Sequence, residues 1–261
     1  MPPRHSRQAL TRGGFGPFGP VRDLAVVIPT LDEAADIGPC LASVRHGSGP
    51  VVQVIVADAD STDQTRDIAR AMGATVLHAP LGRGRQICKG VEVAAADAVL
   101  VLHADCRLDP GMAQRVVDNL NQRPDAAGGA MGMRFDSASL GARCVAVLNA
   151  LRTRLTGISF GDQGQFFRRE ALAHVGGFPD MLLMEDVECA LRLGRAGARL
   201  YLPTGITASH RGWEQRGLGR GMSLVLRLFT RYLVERRLGR HDPSGRRYYE
   251  RYYGGGAANR R

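Results

Sequence analysis

The chain has no Cys-x-x-Cys pair; its five cysteines, Cys40, Cys88, Cys106, Cys144 and Cys189, are scattered and odd in number. That pattern suggests neither a disulfide framework nor a zinc site, and it fits a reducing, cytoplasmic compartment. No run approaches the roughly 20 apolar residues of a membrane-spanning helix, so membrane contact is expected to be peripheral, at the inner face of the cell membrane. The N-terminus holds Arg4, Arg7, Arg12 and a Gly/Pro cluster but no stretch apolar enough for a signal peptide, and residues 1–22 read as a flexible basic tail. Zinc-finger spacing, a basic zipper and a basic-aromatic RNA motif are all missing. The net charge of +10 therefore points to a membrane surface or a phosphorylated substrate rather than to nucleic acid.

What is present suits one catalytic domain. With 44% hydrophobic and 23% charged residues, the 261-residue chain sits inside the globular range, which excludes wholesale disorder. Leu24 to Ile28 (LAVVI), Val51 to Ala57 (VVQVIVA), Ala74 to His78 and Ala98 to His103 (AVLVLH) are apolar runs of the kind buried on both faces of a parallel sheet. Pro29 is expected to end the first strand. Thr30 and Glu33 have capping-box spacing for a helix towards Val44, interrupted near Gly38-Pro39. Helices are also expected over Thr62 to Met72, capped by Ser61 or Asp60, over Arg85 to Ala96, after Asp109-Pro110, and from Met184 to about Arg195. Gly128 to Phe135 reads as a strand, after which the alternation loosens. Strands alternating with helices predict an α/β fold with a doubly wound, mostly parallel sheet flanked by helices, and a site at the strands' C-terminal ends.

Gly221 to Leu238 has apolar residues at helical spacing (Val225, Leu228, Phe229, Tyr232, Leu233) with Arg227 and Arg231 on another side. This C-terminal amphipathic helix has three readings: core packing, a solvated face, or docking on anionic lipid. The domain division expected is a tail over 1–22, a catalytic domain over 23–215, and the basic helix with a C-terminal tail over 216–261.

Carboxylates at strand ends are the informative pattern, because a buried acid costs stability unless it binds something. Asp58 and Asp105 both sit there. Asp105 could hold a divalent cation that neutralises a diphosphate, or could cap the next helix. Gly82-Arg83-Gly84-Arg85 is no dinucleotide fingerprint, since Ile87 stands where the third Gly is needed. Gly161-Asp162-Gln163-Gly164 offers close backbone approach together with groups that bind hydroxyls, so Asp162 and Gln163 are expected to meet a hydroxyl-bearing ligand. Trp213, the only Trp, either stacks on a ligand or packs in the core.

The ordered set VVIPTLDEA, VIVADADSTDQT, GRGRQICKG, VLHADCRLDP, GDQGQFFRREALAHVGGFP and LMEDVECALRLGRAG resembles family-2 glycosyltransferases of the GT-A fold, in particular a small bacterial branch with an HAD-type metal motif. The resemblance covers about residues 24 to 212. It implies that Pro29 to Glu33, with Thr30 between them, form the first nucleotide-binding loop and that Asp58 hydrogen-bonds the base. Asp60 stands where that loop usually has Gly. An Arg contacts the nucleotide, and Arg85 is the expected one, with Arg83 and Lys89 as surface alternatives. His103-Ala104-Asp105 takes the place of a DXD motif, which implies that His103 and Ala104 lie beside the nucleotide and that Asp105 ligates Mn²⁺ or Mg²⁺; His103 has a packing role as its alternative, and His210 is either a further metal ligand or structural. Asp186 is implied as the base of an inverting transfer, with Glu185 contacting the acceptor or orienting the loop. The implied partners are a UDP- or GDP-sugar and an unidentified acceptor, lipid or polysaccharide. Two rivals remain: a nucleotidyltransferase, disfavoured because Pro29 to Glu33 contains no Gly or basic residue, and a catalytically silent sugar-nucleotide-binding or membrane-adaptor protein.

Overall fold

Leu24–Thr30 forms strand β1, buried at all seven positions, as an apolar run must be when helices cover both faces of a sheet. The computed structural model describes residues 16–45, 49–210 and 218–254. Along the chain follow α1 (Ile37–Arg45), β2 (Val51–Asp58), α2 (Thr65–Ala71), β3 (Thr75–His78), α3 (Arg83–Val93), β4 (Ala98–Val101) and β5 (Cys106–Leu108). The second half adds α4 (Met112–Gln122), β6 (Ala126–Phe135), α5 (Leu140–Thr156), β7 (Phe166–Arg168), α6 (Arg169–His174), α7 (Glu185–Ala196) and β8 (Ala198–Ala208). Two helices close the described chain, α8 (Leu218–Arg237) and α9 (Arg246–Tyr253).

Among the described residues eight strands make one sheet in the order β3-β2-β1-β4-β7-β6-β8-β5. β1 pairs in parallel with β2 and β4, β2 with β3, and β6 with β8, while β7 and β5 run antiparallel to their neighbours. The expected α/β class and mostly parallel sheet are what is observed. Successive residues of β1 feed opposite layers, as the period of two requires. Val26 and Ile28 join a core with α1 and α4, through Leu41 and Val116, whereas Ala25 and Val27 join one with α3 and α7, through Ile87 and Leu193. A third cluster joins Leu183 and Val187 to Leu228 and Tyr232 of α8 and Tyr248 of α9. No helix among the described residues is long and apolar enough to cross a membrane.

Several boundaries differ from the sequence reading. Pro29 does not end β1, which runs on through Thr30 in register with Asp58. The β4 pairing reaches only Val27, so at Pro29 there is a strand on one side alone, where a missing N–H can be accommodated. Thr30 caps no helix; its hydroxyl donates to Asp58 Oδ2 at 2.9 Å. α1 opens at Ile37 and includes Gly38-Pro39 without a break, because first-turn N–H groups have no intrahelical partner to lose. α2 starts at Thr65 rather than Thr62, for Ser61 is bound to Asp58 instead of capping. α3 begins two residues earlier than expected, and β4 stops at Val101. The segment expected to be flexible is packed from Phe18 onward: its N–H donates to the Pro124 carbonyl at 2.8 Å, and Phe18 and Val21 are buried. Residues 246–253, read as part of a tail, are helical.

Candidate active site

At the C-terminal ends of β1 and β2, Asp58 is 2% exposed and organises two loops. It accepts from Thr30 Oγ1, from the Ser61 N–H at 2.9 Å and from Ser61 Oγ at 2.6 Å, with Arg66 Nε 3.7 Å away. Gln86, reaching in from α3, donates to the Thr30 and Ala57 carbonyls at 2.7 and 3.0 Å and fixes the two strand ends together. The loops are stitched to each other: Thr62 N–H donates to Asp32 Oδ1, Ala34 N–H to Asp63 Oδ2, and Glu33 N–H to Thr65 Oγ1. Asp60 has φ 61°, in the left-handed region where glycine is favoured and Asp is tolerated. Asp60 thus occupies a backbone conformation that Gly would adopt at less cost.

Beyond the β4 end lies a cavity of about 580 Å³, walled by the β4–β5 turn, the start of α7, α5 and α8. Asp105 hangs from the turn, whose backbone is fixed by Cys106 N–H on the His103 carbonyl and Ser209 N–H on that of Asp105. Its carboxylate faces the lumen, and the protein closing round that lumen raises its pKa by desolvation. His103 lies against Gly161 so closely that a Cβ there would stand 2.5 Å from its ring, which only glycine permits. Burial, with the charge of Arg83, pushes the imidazole pKa down to about 3, so the ring is neutral and its nitrogen can accept or ligate.

The opposite wall is the first turn of α7. Asp186 Oδ2 accepts the Gly161 N–H at 2.8 Å and Oδ1 the Val187 N–H at 2.7 Å, which leaves one further lone pair on each oxygen. Glu185 is almost wholly buried; desolvation first, then the neighbouring Asp186 charge, pushes its pKa up to about 8. Asp162 is raised to about 6 by burial, against the pull of Arg152. Arg83 brings positive charge, with Nε 3.9 Å from Glu185 Oε1 and Nη2 donating to the Tyr253 hydroxyl at 3.1 Å. It reaches the cavity because Gly84 lets α3 approach the 179–181 backbone, where a Cβ would meet the Met181 carbonyl at 2.4 Å.

Among the described residues, Gln163 Nε2 and His241 Nδ1 are buried without a hydrogen-bond partner away from the cavity, and His103 Nε2, Asp162 Oδ1 and Glu185 Oε2 are so on residues that line it. Such orphans cost stability unless a ligand satisfies them, and the cavity is where a ligand could reach them. Among the described residues no three His, Cys, Asp or Glu side chains converge on one point as a preformed cage. The oxygen-rich wall with Asp105 therefore suits a hard cation that takes one or two protein carboxylates and completes its shell with substrate phosphates, the habit of Mg²⁺ and Mn²⁺.

Of the residues singled out in the sequence, the fold gathers His103, Asp105, Asp162, Glu185 and Asp186 round this cavity. Pro29, Thr30, Glu33 and Asp58 lie at the ends of β1 and β2 and in the loop after β1, and they do not line the cavity. Ala104 is buried in the apolar core between its two neighbours. Arg85 does not line the cavity; its Nε lies 3.5 Å from Asp180, and Arg83 occupies the wall instead. Lys89 is exposed and paired with Glu92. Gln163 also lies off the cavity, fully buried, its carbonyl oxygen accepting from Arg152, Thr153 and the Phe160 N–H. His210 follows Ser209; its N–H donates to Asp136 and its ring meets Phe135 edge-on at 5.4 Å. Trp213 lies outside the described residues. Sequence reasoning missed Arg152, whose guanidinium sits 3.3 Å over the Phe160 ring in the cavity wall, and it missed Tyr252 and Tyr253, which also line the cavity.

Comparison with known proteins places this arrangement. The family model for glycosyl transferase family 2 matches residues 25–176. An uncharacterised glycosyltransferase of Mycobacterium tuberculosis is 32% identical over 107 residues, covering 41% of this chain and 47% of its own. The chain thus spans about half the length of that relative. Protein RfbJ of Shigella flexneri is 29% identical over 99 residues, 38% of this chain and 76% of its own. Among solved structures, glucosyl-3-phosphoglycerate synthase from M. tuberculosis, in complex with Mn²⁺, UDP and glucosyl-3-phosphoglycerate, superposes with a TM-score of 0.52 at 20% identity, over 78% of each chain. S. aureus TarS, in a complex with UDP-GlcNAc, gives 0.55 at 16% identity, over 72% of this chain and 58% of its own. At these identities the likeness shows the GT-A fold. The family match extends over more than half of the chain, and the protein belongs to glycosyl transferase family 2.

Proposed function

We propose that the protein is an inverting glycosyltransferase that moves a sugar from a UDP- or GDP-sugar to an acceptor hydroxyl, with Mn²⁺ or Mg²⁺ at Asp105. The observation that carries this reading is the meeting of Asp105, Glu185, Asp186 and Arg83 in one cavity, from three separated chain segments. The Pro29 to Glu33 loop and Asp58 hold the base and ribose, and Arg83 rather than Arg85 meets the diphosphate. A divalent ion, when bound, neutralises the charge that grows on the departing nucleoside diphosphate. His210 is the candidate second ligand. Mn²⁺ and UDP occur together in the solved glucosyl-3-phosphoglycerate synthase complex, which supports both choices.

The acceptor oxygen bonds to the anomeric carbon as the bond from that carbon to the diphosphate breaks, and its proton passes to Asp186. Two backbone N–H groups orient that carboxylate, one on each oxygen, so the base is positioned before the acceptor arrives. Glu185, protonated at neutral pH, donates a hydrogen bond to acceptor or sugar, and Asp162 lines the acceptor side. The expected anionic membrane surface is a further partner.

The test is nucleoside diphosphate release from a panel of UDP- and GDP-sugars with Mn²⁺ and a bacterial lipid extract as acceptor. Release from one donor that needs the metal and is lost in Asp186→Asn supports the proposal. Equal release by wild type and Asp186→Asn from every donor contradicts it.

A further inference from the structure

The outward face of α5 is apolar, the reverse of what a helix lying on a sheet normally shows to water. Leu140, Val147, Leu148, Leu151 and Leu155 are each more than half exposed, and with exposed Cys144 they fall at the spacings of one helical face. Arg143 and Arg154, both exposed, flank this stripe, and α5 contains no acidic residue. α8 presents a second such strip, where Leu226 and Val234, with Leu238 just beyond the helix, alternate with exposed Arg220, Arg227, Arg231 and Arg237. The acid on α8, Glu235, is turned inward, 16% exposed and hydrogen-bonded by Arg231 and Tyr248. Leu148 and Leu226 are exposed and also line the cavity, so the two strips meet at its mouth.

Leucines flanked by arginines on two helices that carry no exposed acid of their own match an interface of acyl chains and anionic headgroups. A second copy of the same face would set arginine against arginine. We propose that α5 and α8 dock the protein on an anionic bilayer with the cavity mouth towards the lipid, so that the acceptor is a group carried on a membrane lipid. The docking stands on the surface alone; the acceptor assignment also rests on the transferase reading above.

The experiment is co-sedimentation of the full chain with vesicles of equal parts phosphatidylcholine and phosphatidylglycerol, against phosphatidylcholine alone. Wild type is expected to sediment with the anionic vesicles, and the Leu151→Ser/Leu155→Ser variant to stay in solution with an unchanged melting temperature. Arg143→Gln and Arg227→Gln should each weaken binding by roughly fivefold. Wild type left in the supernatant, or the leucine variant sedimenting like wild type, overturns the proposal. So does a wild-type dimer in solution that the leucine variant dissociates, since the stripe would then be covered by a second copy. Loss of nucleotide binding with docking intact would strike the transferase reading and leave the docking standing. Equal transfer to a water-soluble acceptor without vesicles overturns the lipid acceptor.

Discussion

Glu188 is the joint between α7 and the C-terminal helices, and replacing it tests how these helices are held together. Its carboxylate is 5% exposed and accepts from Arg192 Nε at 2.9 Å, Tyr232 Oη at 2.6 Å and Arg236 Nη2 at 3.1 Å. Burial alone would raise its pKa, but the hydrogen bonds from Arg236, Tyr232 and Arg192 outweigh that and hold it down at about 2, from an ordinary 4.5. By linkage such a drop is worth about 3 kcal/mol above roughly pH 5. Arg192 is 31% exposed and Arg236 19%, so solvent screens part of this, and about 2 kcal/mol is expected in practice. Glu188→Gln keeps an acceptor for Tyr232 but loses the charge. In a chain of this length it should melt about 4–8 °C lower at pH 7. Because the folded pKa is depressed, this stability is present above the unfolded value and lost as pH falls towards 2. The gap between wild type and variant should therefore be constant above about pH 5 and shrink below it. Melting curves by circular dichroism at several pH values measure it. A variant within a degree of wild type at pH 7, or a gap that persists unchanged in acid, would refute the reasoning.

At the reacting centre, Glu185→Gln mimics the protonated carboxyl. It should retain activity within about threefold at pH 7, whereas Asp186→Asn should lose roughly a hundredfold or more in kcat/KM. Wild-type kcat/KM should fall above about pH 8, where Glu185 ionises beside Asp186 and repels the phosphates, and Glu185→Gln should abolish that fall; a pH profile of both decides. Gly161→Ala forces a Cβ into the His103 ring and disturbs the N–H that holds Asp186. It should cost about 1–3 kcal/mol of stability by overpacking and at least roughly tenfold in kcat/KM, read from melting and steady-state assays.

The first half of the fold and its acids are legible in the sequence because buried parallel strands need uninterrupted apolar runs, and a carboxylate at such a run's end stands out. Thr30 misled because a capping-box pattern is local, while its hydroxyl is claimed by Asp58 from another strand. Arg83 and Arg85 sit about 200° apart round a helix, so one faces the cavity and the other faces Asp180; only the true start of α3 decides which. α5 was not read because leucines on its outer face erase the polar and apolar contrast that marks a helix. β8 was not read because Pro203 and Gly205 interrupt it, Gly205 at φ 151° beside a register shift in its pairing with β6. Arg152 gave no signal, since its role depends on Phe160 and Gln163, which only the tertiary fold brings near.

The central claim is a metal-dependent nucleotide site at Asp105. The direct measurement is the melting temperature with UDP, GDP, CDP and ADP, each with and without Mn²⁺, on wild type and Asp105→Ala. A ligand at about a hundred times its dissociation constant adds roughly 2.7 kcal/mol, which a thermal scan resolves. Stabilisation by UDP or GDP that requires Mn²⁺ and is lost in Asp105→Ala is the expected result. Stabilisation by none of the four, or an equal response in the variant, would contradict it.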